Sequence, residues 1–314
     1  MPLILGLDTS NYTTSAALFD TDKKSLKCEK QLLPVKSGER GLRQSDAVFH
    51  HTRRIPTILK RLYDGCDTKT DIVCASEKPR RDKDSYMPCF LVGSSTGKSI
   101  SLASGAEYIP TDHQTGHILA ACYSSGKFEL ITKHKPFIAF HISGGTTDCM
   151  LVSFDGEALT IKPLSSSKDL KAGQAVDRVG VMLSIDFPCG YELEMLASVS
   201  SRHFDTKIRL ISGDCSLSGV ENKCRDMLSR GEPREDIAAF CLDFIYKTIY
   251  EMAEYQIGKL GKLPIIFAGG VMSNALIRKR LESDFDTAYF ASRDFSCDNA
   301  YGVCLYAAYV KGLI

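Results

Sequence analysis

Several features that would mark a particular class of protein are missing from this chain of 314 residues. It has no run of about eighteen apolar residues, so no transmembrane helix is expected. The first ten residues are too short for the apolar region of a secretory signal, and Asp8 interrupts them, so no such signal is expected. The formal net charge is only +1, which means that any contact with nucleic acid must be local.

The twelve cysteines include no C-x-x-C pair, which would have indicated a metal or redox motif. Many of them lie within apolar runs, as Cys74, Cys122, Cys149 and Cys304 do. This pattern is typical of buried free thiols in a reducing compartment. A cytoplasmic location is therefore expected.

The length allows two domains, each with its own core, and the 44% hydrophobic content is ordinary for a globular protein. Each half of the chain begins with two apolar stretches joined by a polar turn, which predicts a β-hairpin. Segments with strand and helix periodicity then alternate, which favours an α/β fold. We expect two lobes, residues 1–130 with a C-terminal helix at 298–314, and residues 131–297. If the lobes face each other, the polar turns meet in one cleft.

Three polar turns are candidates for binding a phosphate. DTSNYTT at 8–14 and SGGTTD at 143–148 each lie between two predicted strands. GGVMSN at 269–274 begins where a predicted strand ends in two glycines, and a helix is expected to open directly after these glycines. Glycine lets the backbone approach an anion closely, and hydroxyl groups or a helix N-terminus add hydrogen-bond donors. Each turn is a weak signal alone, but three of them favour an anion site.

A further glycine-rich stretch, VGSSTGKS at 92–99, only superficially resembles a P-loop. Three residues separate Gly93 from Gly97, whereas the P-loop requires four. We interpret this stretch as the small-residue face of a helix that packs on a sheet.

His113 and His117, in the stretch TDHQTGHILAA, are four residues apart, so on a helix their rings face the same way. Two such imidazoles can hold one divalent metal, although a pair alone is more often structural. Asp298 and His141 are the candidates for further ligands. A zinc protease is not indicated, because Gln114 stands where the H-E-x-x-H motif has glutamate.

Eight segments resemble, in order, those of the TsaD-type tRNA threonylcarbamoyladenosine transferase family, formerly called glycoproteases or O-sialoglycoprotein endopeptidases. They are GLDTSNYTTSAAL, QSDAVFHH, HQTGH, HISGGTTD, AVDRVG with FPCGYELEMLA, CSLSGVENK, FAGGVMSNALIR and SCDNA. The series runs over nearly the whole chain and is far more specific than any single motif.

The resemblance implies an actin-like ATPase (ASKHA) fold of two duplicated RNase H-like lobes with a nucleotide cleft between them. It implies a transferase that moves a threonylcarbamoyl group from threonylcarbamoyl-AMP to an adenosine near the tRNA anticodon, together with partner proteins. It implies one divalent metal, iron or zinc, held by His113, His117 and Asp298, with His141 as an optional fourth ligand. The residues expected to contact the adenine nucleotide (ATP or threonylcarbamoyl-AMP) are Asp8, Ser10, His141, Ile142, Ser143, Gly144, Gly145, Asp177, Gly190, Glu194 and Asn274.

The chain also departs from the family pattern. The family's T-x-G-P-G loop should fall near residues 76–80, where this chain has SEKPR. Thr115 replaces the glutamate of H-x-E-G-H, and Cys189 and Tyr191 replace a glycine and a proline. Two alternatives therefore stay open: a non-catalytic nucleotide-binding paralogue in a protein assembly, and a carbamoyltransferase of the same fold that acts on a small molecule.

If tRNA binds, its phosphates need local cations. The first candidates lie in the segment that replaces the family loop, and they are Lys78, Arg80, Arg81 and Lys83. Two aspartates in the same segment partly cancel this charge, so a solvated loop is the alternative interpretation.

Overall fold

Two five-stranded sheets form the framework of the part of the chain that the structure describes. The computed structural model describes residues 2–10, 12–34, 42–66, 68–82, 84–295 and 300–314. The strands are β1 (Leu3–Asp8), β2 (Thr13–Asp20), β3 (Ser25–Leu32), β4 (Ile72–Lys78), β5 (Glu107–Asp112), β6 (Phe137–Ile142), β7 (Thr147–Asp155), β8 (Ala158–Ser166), β9 (Ile265–Ala268) and β10 (Ala288–Phe290). The helices are α1 (Gln44–Leu62), α2 (Phe90–Ser104), α3 (His113–Ser124), α4 (Glu129–Thr132), α5 (Ala172–Met182), α6 (Gly190–Ser198), α7 (Ser218–Ser229), α8 (Arg234–Leu260), α9 (Ala275–Asp284) and α10 (Tyr301–Val310).

The chain divides into two units, one comprising Met1–Tyr123 and Cys297–Ile314 and the other Ser124–Ser296. In the first unit the strand order is β3-β2-β1-β4-β5, and β1 is antiparallel to β2 but parallel to β4. Successive residues of β1 alternate between two apolar layers, as the period of a strand requires. Leu5 packs on the side of α1 with Ile58, whereas Ile4 packs with Val303 of α10.

The second unit repeats this arrangement with the strand order β10-β9-β6-β7-β8. Its first strand, β6, is antiparallel to β7 and parallel to β9, as β1 is to β2 and β4. The long helix α8 buries apolar residues, which include Ile237, Cys241 and Ile249, in the same cluster as Phe140 of β6. The predicted α/β fold with a duplicated arrangement of strands and helices is confirmed.

Parallel strands bring their carboxyl ends to one edge of a sheet, and in open α/β sheets ligands bind at that edge. In the first unit β1, β4 and β5 end together, and in the second unit β6, β9 and β10 do. Most of the residues predicted to bind a ligand lie at these two edges or in the helices that follow them.

Several local predictions are confirmed by the observed elements. Both predicted hairpins form. The stretch 92–99 belongs to α2, where a Cβ on Gly97 would lie 3.3 Å from Val73, so it packs on the sheet as expected. Strand β3 was not expected. Among the described helices, none is long and apolar enough to cross a membrane.

Candidate functional site

The two histidines of α3 direct their Nε2 atoms at each other. These atoms are 2.9 Å apart, the ring centroids are 4.3 Å apart, and the ring planes are inclined by 79°. His113 is the first residue of α3, directly after β5, and His117 lies one turn later. Both are largely buried: His117 is 6% exposed, and the His113 side chain is 13% exposed. The two ring nitrogens that a metal could bind thus lie beside each other.

Asp8, the last residue of β1, fixes the orientation of His113. Its Oδ2 lies 2.6 Å from Nδ1 of His113, and its Oδ1 accepts a hydrogen bond from the backbone N–H of Ser10 at 2.8 Å. An ionised carboxylate can only accept hydrogen bonds, so the imidazole proton is held on Nδ1. The Nε2 lone pair of His113 is then directed towards His117. Asp8 was predicted to contact the nucleotide, and in this structure its carboxylate is within hydrogen-bond distance of His113.

The donor set fits a transition metal. Two imidazole nitrogens bound to one tetrahedral metal at the usual distance are about 3.3 Å apart, a few tenths of an ångström more than here. A carboxylate on the far nitrogen of a ligating histidine is the usual outer partner in such sites. In the described part of the chain, no cluster of three or more His, Cys, Asp or Glu side chains occurs that could hold a metal. Asp298, the predicted third ligand, lies outside the described residues, and His141 belongs to β6 of the second unit.

The first turn of α3 is capped by Asp112. Its Oδ1 accepts the backbone N–H of Thr115 at 2.9 Å, and its Oδ2 accepts the Thr115 hydroxyl at 2.6 Å. Asp112, the residue directly before α3, is thus the N-cap of this helix. Thr115, which replaces the family's glutamate, is fully buried and is bound to this cap.

The basic segment that replaces the family loop is engaged in internal contacts. The ammonium group of Lys78 donates to the backbone carbonyls of Arg81 and Asp82, at 2.9 and 3.3 Å. The Nε of Arg81 lies 3.1 Å from Oδ2 of the buried Asp112. Lys83 lies outside the described residues. A role of this segment in binding tRNA stays a prediction.

In the second unit, the turn after β6 is closed by Ser143. Its hydroxyl oxygen accepts the backbone N–H groups of Gly145 and Thr146, both at 3.1 Å. A Cβ on Gly144 or Gly145 would meet no atom within 4 Å, so this side of the turn is open. A Cβ on Gly173, at the start of α5, would lie 2.6 Å from the backbone nitrogen of Gly144. The helix therefore packs directly on the turn.

The second glycine turn follows β9, the strand beside β6. Gly269 has a φ of +99°, and a Cβ there would lie 2.3 Å from the carbonyl oxygen of Ile142, the residue before Ser143. Only glycine suits this position. The sequence predicted that a helix opens directly after the glycines. Instead a 3₁₀ turn at Gly270–Ser273 intervenes, and α9 begins at Ala275.

The N-terminus of α9 is already occupied by side chains. The side-chain oxygen of Asn274 accepts the N–H of Ile277 at 3.0 Å, and Oε1 of Glu194 accepts the N–H of Ala275 at 2.8 Å. The structure thus brings together two residues that were predicted for the nucleotide. A phosphate at this helix end would have to replace the Glu194 carboxylate.

Asp177 of α5 and Gly190 of α6 are also brought together. Oδ1 of Asp177 accepts the N–H of Cys189, the residue before Gly190, at 3.0 Å. Burial raises the pKa of Asp177 above its ordinary value, and this hydrogen bond opposes the change. Glu194 lies one turn after Gly190 on α6. Asp177, Gly190, Glu194 and Asn274, all predicted for the nucleotide, therefore lie near one another on α5, on α6 and at the start of α9.

Three features of the candidate site were not predicted from the sequence. The pairing of Asp8 with His113 depends on strand order, which no local pattern reveals. Gly173 precedes the segment AVDRVG, and its small size was the available signal. Asp169 accepts the backbone N–H groups of Leu217 and Ser218, at 2.7 and 3.1 Å, and so holds the start of α7.

The family model described as "TsaD: tRNA N6-adenosine threonylcarbamoyltransferase" matches residues 36–303. The chain belongs to this family. A tRNA N6-adenosine threonylcarbamoyltransferase of Aromatoleum aromaticum is 29% identical over 292 residues, which are 89% of this chain and 82% of that protein. One from Thermosipho africanus is 25% identical over 99% of this chain and 96% of its own length. The predicted family membership, in a family of tRNA-modifying transferases, is confirmed.

Solved structures with the same fold are much more distant in sequence. Component A of the (R)-2-hydroxyglutaryl-CoA dehydratase of Acidaminococcus fermentans has a TM-score of 0.57 and 18% identity, covering 100% of both chains. This likeness concerns the fold alone, and it confirms the predicted actin-like ATPase fold.

Proposed function

We propose that this chain transfers a threonylcarbamoyl group from threonylcarbamoyl-AMP to the exocyclic amine of an adenosine in tRNA. Family membership supports the reaction class. The observation that carries the proposal is the arrangement of Asp8, His113 and His117, which has the donors and the outer carboxylate of a metal centre. A protein without chemistry has little use for such an arrangement.

The metal ligands proposed are His113, His117 and Asp298, with His141 as an optional fourth, and the metal is iron or zinc. A divalent metal held by these residues would supply Lewis-acid chemistry for the carbonyl group of the substrate. Asp8 keeps the proton of His113 on Nδ1, and the backbone N–H of Ser10 keeps Asp8 in place. The hydroxyl of Ser10 is buried and has no hydrogen-bond partner among the described residues, which makes it available to a substrate oxygen.

The adenylate portion of the substrate is proposed to bind residues of the second unit. Asp177 uses one oxygen for the N–H of Cys189, so the other can accept a ribose hydroxyl. The open side of the turn at Gly144 and Gly145 admits a phosphate without steric conflict. Glu194 and Asn274, which both accept backbone N–H groups at the start of α9, complete this set.

The bond changes are those of an acyl transfer. The amine nitrogen attacks the carbamoyl carbon and forms the new C–N bond. The bond from that carbon to the phosphate oxygen breaks, AMP leaves with its electron pair, and the amine releases one proton. A mixed anhydride is already activated, so the protein has to orient it and stabilise charge rather than provide a strong base.

The test is nucleoside mass spectrometry of tRNA after incubation with the purified chain, candidate partner proteins, metal and threonylcarbamoyl-AMP. His117→Ala should abolish the modified nucleoside and the bound metal, while His50→Ala, a half-buried histidine of α1, should change neither. Metal binding that is unaffected in His117→Ala would refute the proposed centre. Nucleotide binding without transfer to any RNA would support the non-catalytic paralogue instead.

A further inference from the structure

A cavity of about 410 Å³ lies in the second unit, between the irregular segment 200–210 and helices α7 and α8. This size is within the range of sites that bind small ligands. None of its lining residues belongs to the predicted metal or nucleotide sets. The cavity is referred to below as the 202–240 pocket, after the first and last residues that line it.

The pocket is lined by cations. Arg202, Lys207, Lys223 and Arg230 contribute to it, against a single acidic residue, Asp205. The two arginines share one carboxylate, that of Glu232, at 2.5 and 2.7 Å. Within the described part of the chain, the ammonium groups of Lys207 and Lys223 form no ion pair. They are therefore available to an anion.

Aromatic rings lie beside these cations. Phe204 and Phe240 meet edge to face with their centroids 5.3 Å apart. The guanidinium of Arg202 lies 5.2 Å from the centroid of Phe204, and the ammonium of Lys223 lies 6.0 Å from that of Phe240. Aromatic rings and guanidinium planes stack on unpaired bases, and lysine binds phosphate as a compact charge. The lining thus suits a base together with its phosphate.

The irregular side of the pocket is anchored rather than loose. The hydroxyl of Thr206 donates to Oδ2 of Asp243 at 2.7 Å, and both residues are buried. Oδ1 of the same carboxylate accepts a hydrogen bond from Arg280 of α9 at 2.8 Å. A preformed site loses less conformational entropy on binding than one that has to be ordered.

We propose that the 202–240 pocket binds one nucleotide of the RNA acceptor, with the phosphate on Lys207 and Lys223 and the base against Phe204 and Arg202. This nucleotide is a different one from the adenosine that is modified. The inference rests on the proposed function in so far as the acceptor is an RNA. It places the anchoring cations on the second unit, where the sequence had pointed to the segment around Arg80.

The experiment compares Lys207→Ala/Lys223→Ala with Lys162→Ala/Lys279→Ala, which removes two exposed lysines of the second unit outside the pocket. Binding of tRNA is measured from about 50 to 200 mM salt. Two phosphate contacts account for roughly tenfold in affinity over this range, so the pocket variant should weaken binding by about that factor at low salt and flatten the log–log slope by one to two units. The control variant should retain the parent's slope. Equal slopes in the two variants, or no tRNA binding by the parent, would overturn the proposal.

A second arm separates an RNA strand from a free nucleotide. Binding of AMP and GMP to the same variants is followed by calorimetry. If the lysine pair affects only these mononucleotides and leaves tRNA binding unchanged, the RNA proposal is wrong. Phe204→Leu, with its folding checked by thermal melting, should weaken tRNA binding without changing the salt slope, because stacking involves no counterion release.

A transfer assay distinguishes the pocket from the proposed function. The lysine variant should raise the KM for tRNA and leave kcat unchanged, whereas loss of the metal centre should remove kcat. Lysine-dependent binding of tRNA by a parent that transfers nothing would support the pocket and refute the proposed function. Transfer with an unchanged KM in the lysine variant would support the proposed function and refute the pocket.

Discussion

Asp8 and His113 are 105 residues apart in the sequence, yet a carboxylate oxygen and an imidazole nitrogen lie 2.6 Å from each other. The strand order explains this contact. Asp8 ends β1, His113 follows β5, and both strands run parallel to β4, which lies between them. The orientation of the His113 imidazole, a proposed metal ligand, thus depends on the register of the first sheet.

Asp8→Asn should weaken metal binding without preventing folding. The amide cannot impose the Nδ1 proton as an ionised carboxylate does, and loss of such an outer partner typically costs about 10- to 100-fold in metal affinity. Competition titration with a chelator measures the effect. Asp64→Asn, at an exposed site in the same unit, is the matched control, and equal affinities in the two variants would contradict the role of Asp8.

Asp177→Asn should abolish nucleotide binding without lowering the stability of the folded chain. Burial raises the pKa of Asp177 above its ordinary value of 3.8, so the folded chain holds this proton more tightly than the unfolded chain does. Its contribution to stability therefore falls as pH rises from about 3.8 through the raised pKa. Asparagine keeps an oxygen for the Cys189 N–H and carries no charge. Urea unfolding near pH 7 should show equal or greater stability, with the difference vanishing in acid, while the thermal shift caused by ATP or AMP is lost.

Asp169→Asn should lower stability near neutral pH by about 1 kcal/mol, because hydrogen bonds to an ionised carboxylate are stronger than those to a neutral amide oxygen. Burial raises the pKa of Asp169, but hydrogen bonds from the Ser218 hydroxyl and from the N–H groups of Leu217, Ser218 and Leu170 outweigh it and lower the pKa to about 2. The stabilisation is present above the ordinary value of 3.8 and is lost as pH falls towards 2. Asp226→Asn, at an exposed site on α7, should not alter this acid transition. An unchanged transition in Asp169→Asn would refute the assignment.

Gly173→Ala should destabilise the chain by about 1–3 kcal/mol, because the added Cβ meets the backbone of Gly144 and one of the two segments must shift. Gly219→Ala is the control. It lies in α7, its Cβ would meet no atom within 4 Å, and alanine is the better helix former, so stability should rise by about 0.4–1 kcal/mol. Chemical unfolding of both variants measures the difference, and equal effects would disprove the close packing of α5 on the turn.

Local patterns predicted the elements that consist of apolar runs. The two hairpins were found in this way, because their apolar stretches and the polar turns between them are directly visible in the sequence. Strand β3 was missed, since its residues are mostly exposed and polar at successive positions, and it joins the sheet through backbone hydrogen bonds to β2. An edge strand of this kind leaves no apolar pattern to recognise.

The candidate site was predicted only as far as residue types allow. The spacing of His113 and His117 predicted that their rings face the same way, and their Nε2 atoms are observed at 2.9 Å. The start of α9 was misplaced because Asn274, not the glycines, is its N-cap. The contact of Glu194 with the N–H of Ala275 could not be predicted, because Glu194 lies in a helix that is distant in sequence. Contacts of that kind depend on tertiary packing rather than on local preference.

The ion pair between Arg81 and Asp112 connects the segment that replaces the family loop to the residue directly before His113. Asp112 holds the first turn of α3 through Thr115, and Arg81 neutralises the same carboxylate from the segment at 78–82. A phosphate that draws Arg81 away leaves a buried carboxylate uncompensated directly before His113. Anchoring of RNA on this segment would therefore disturb the position of the proposed metal ligands. Anchoring at the 202–240 pocket leaves the ion pair between Arg81 and Asp112 in place.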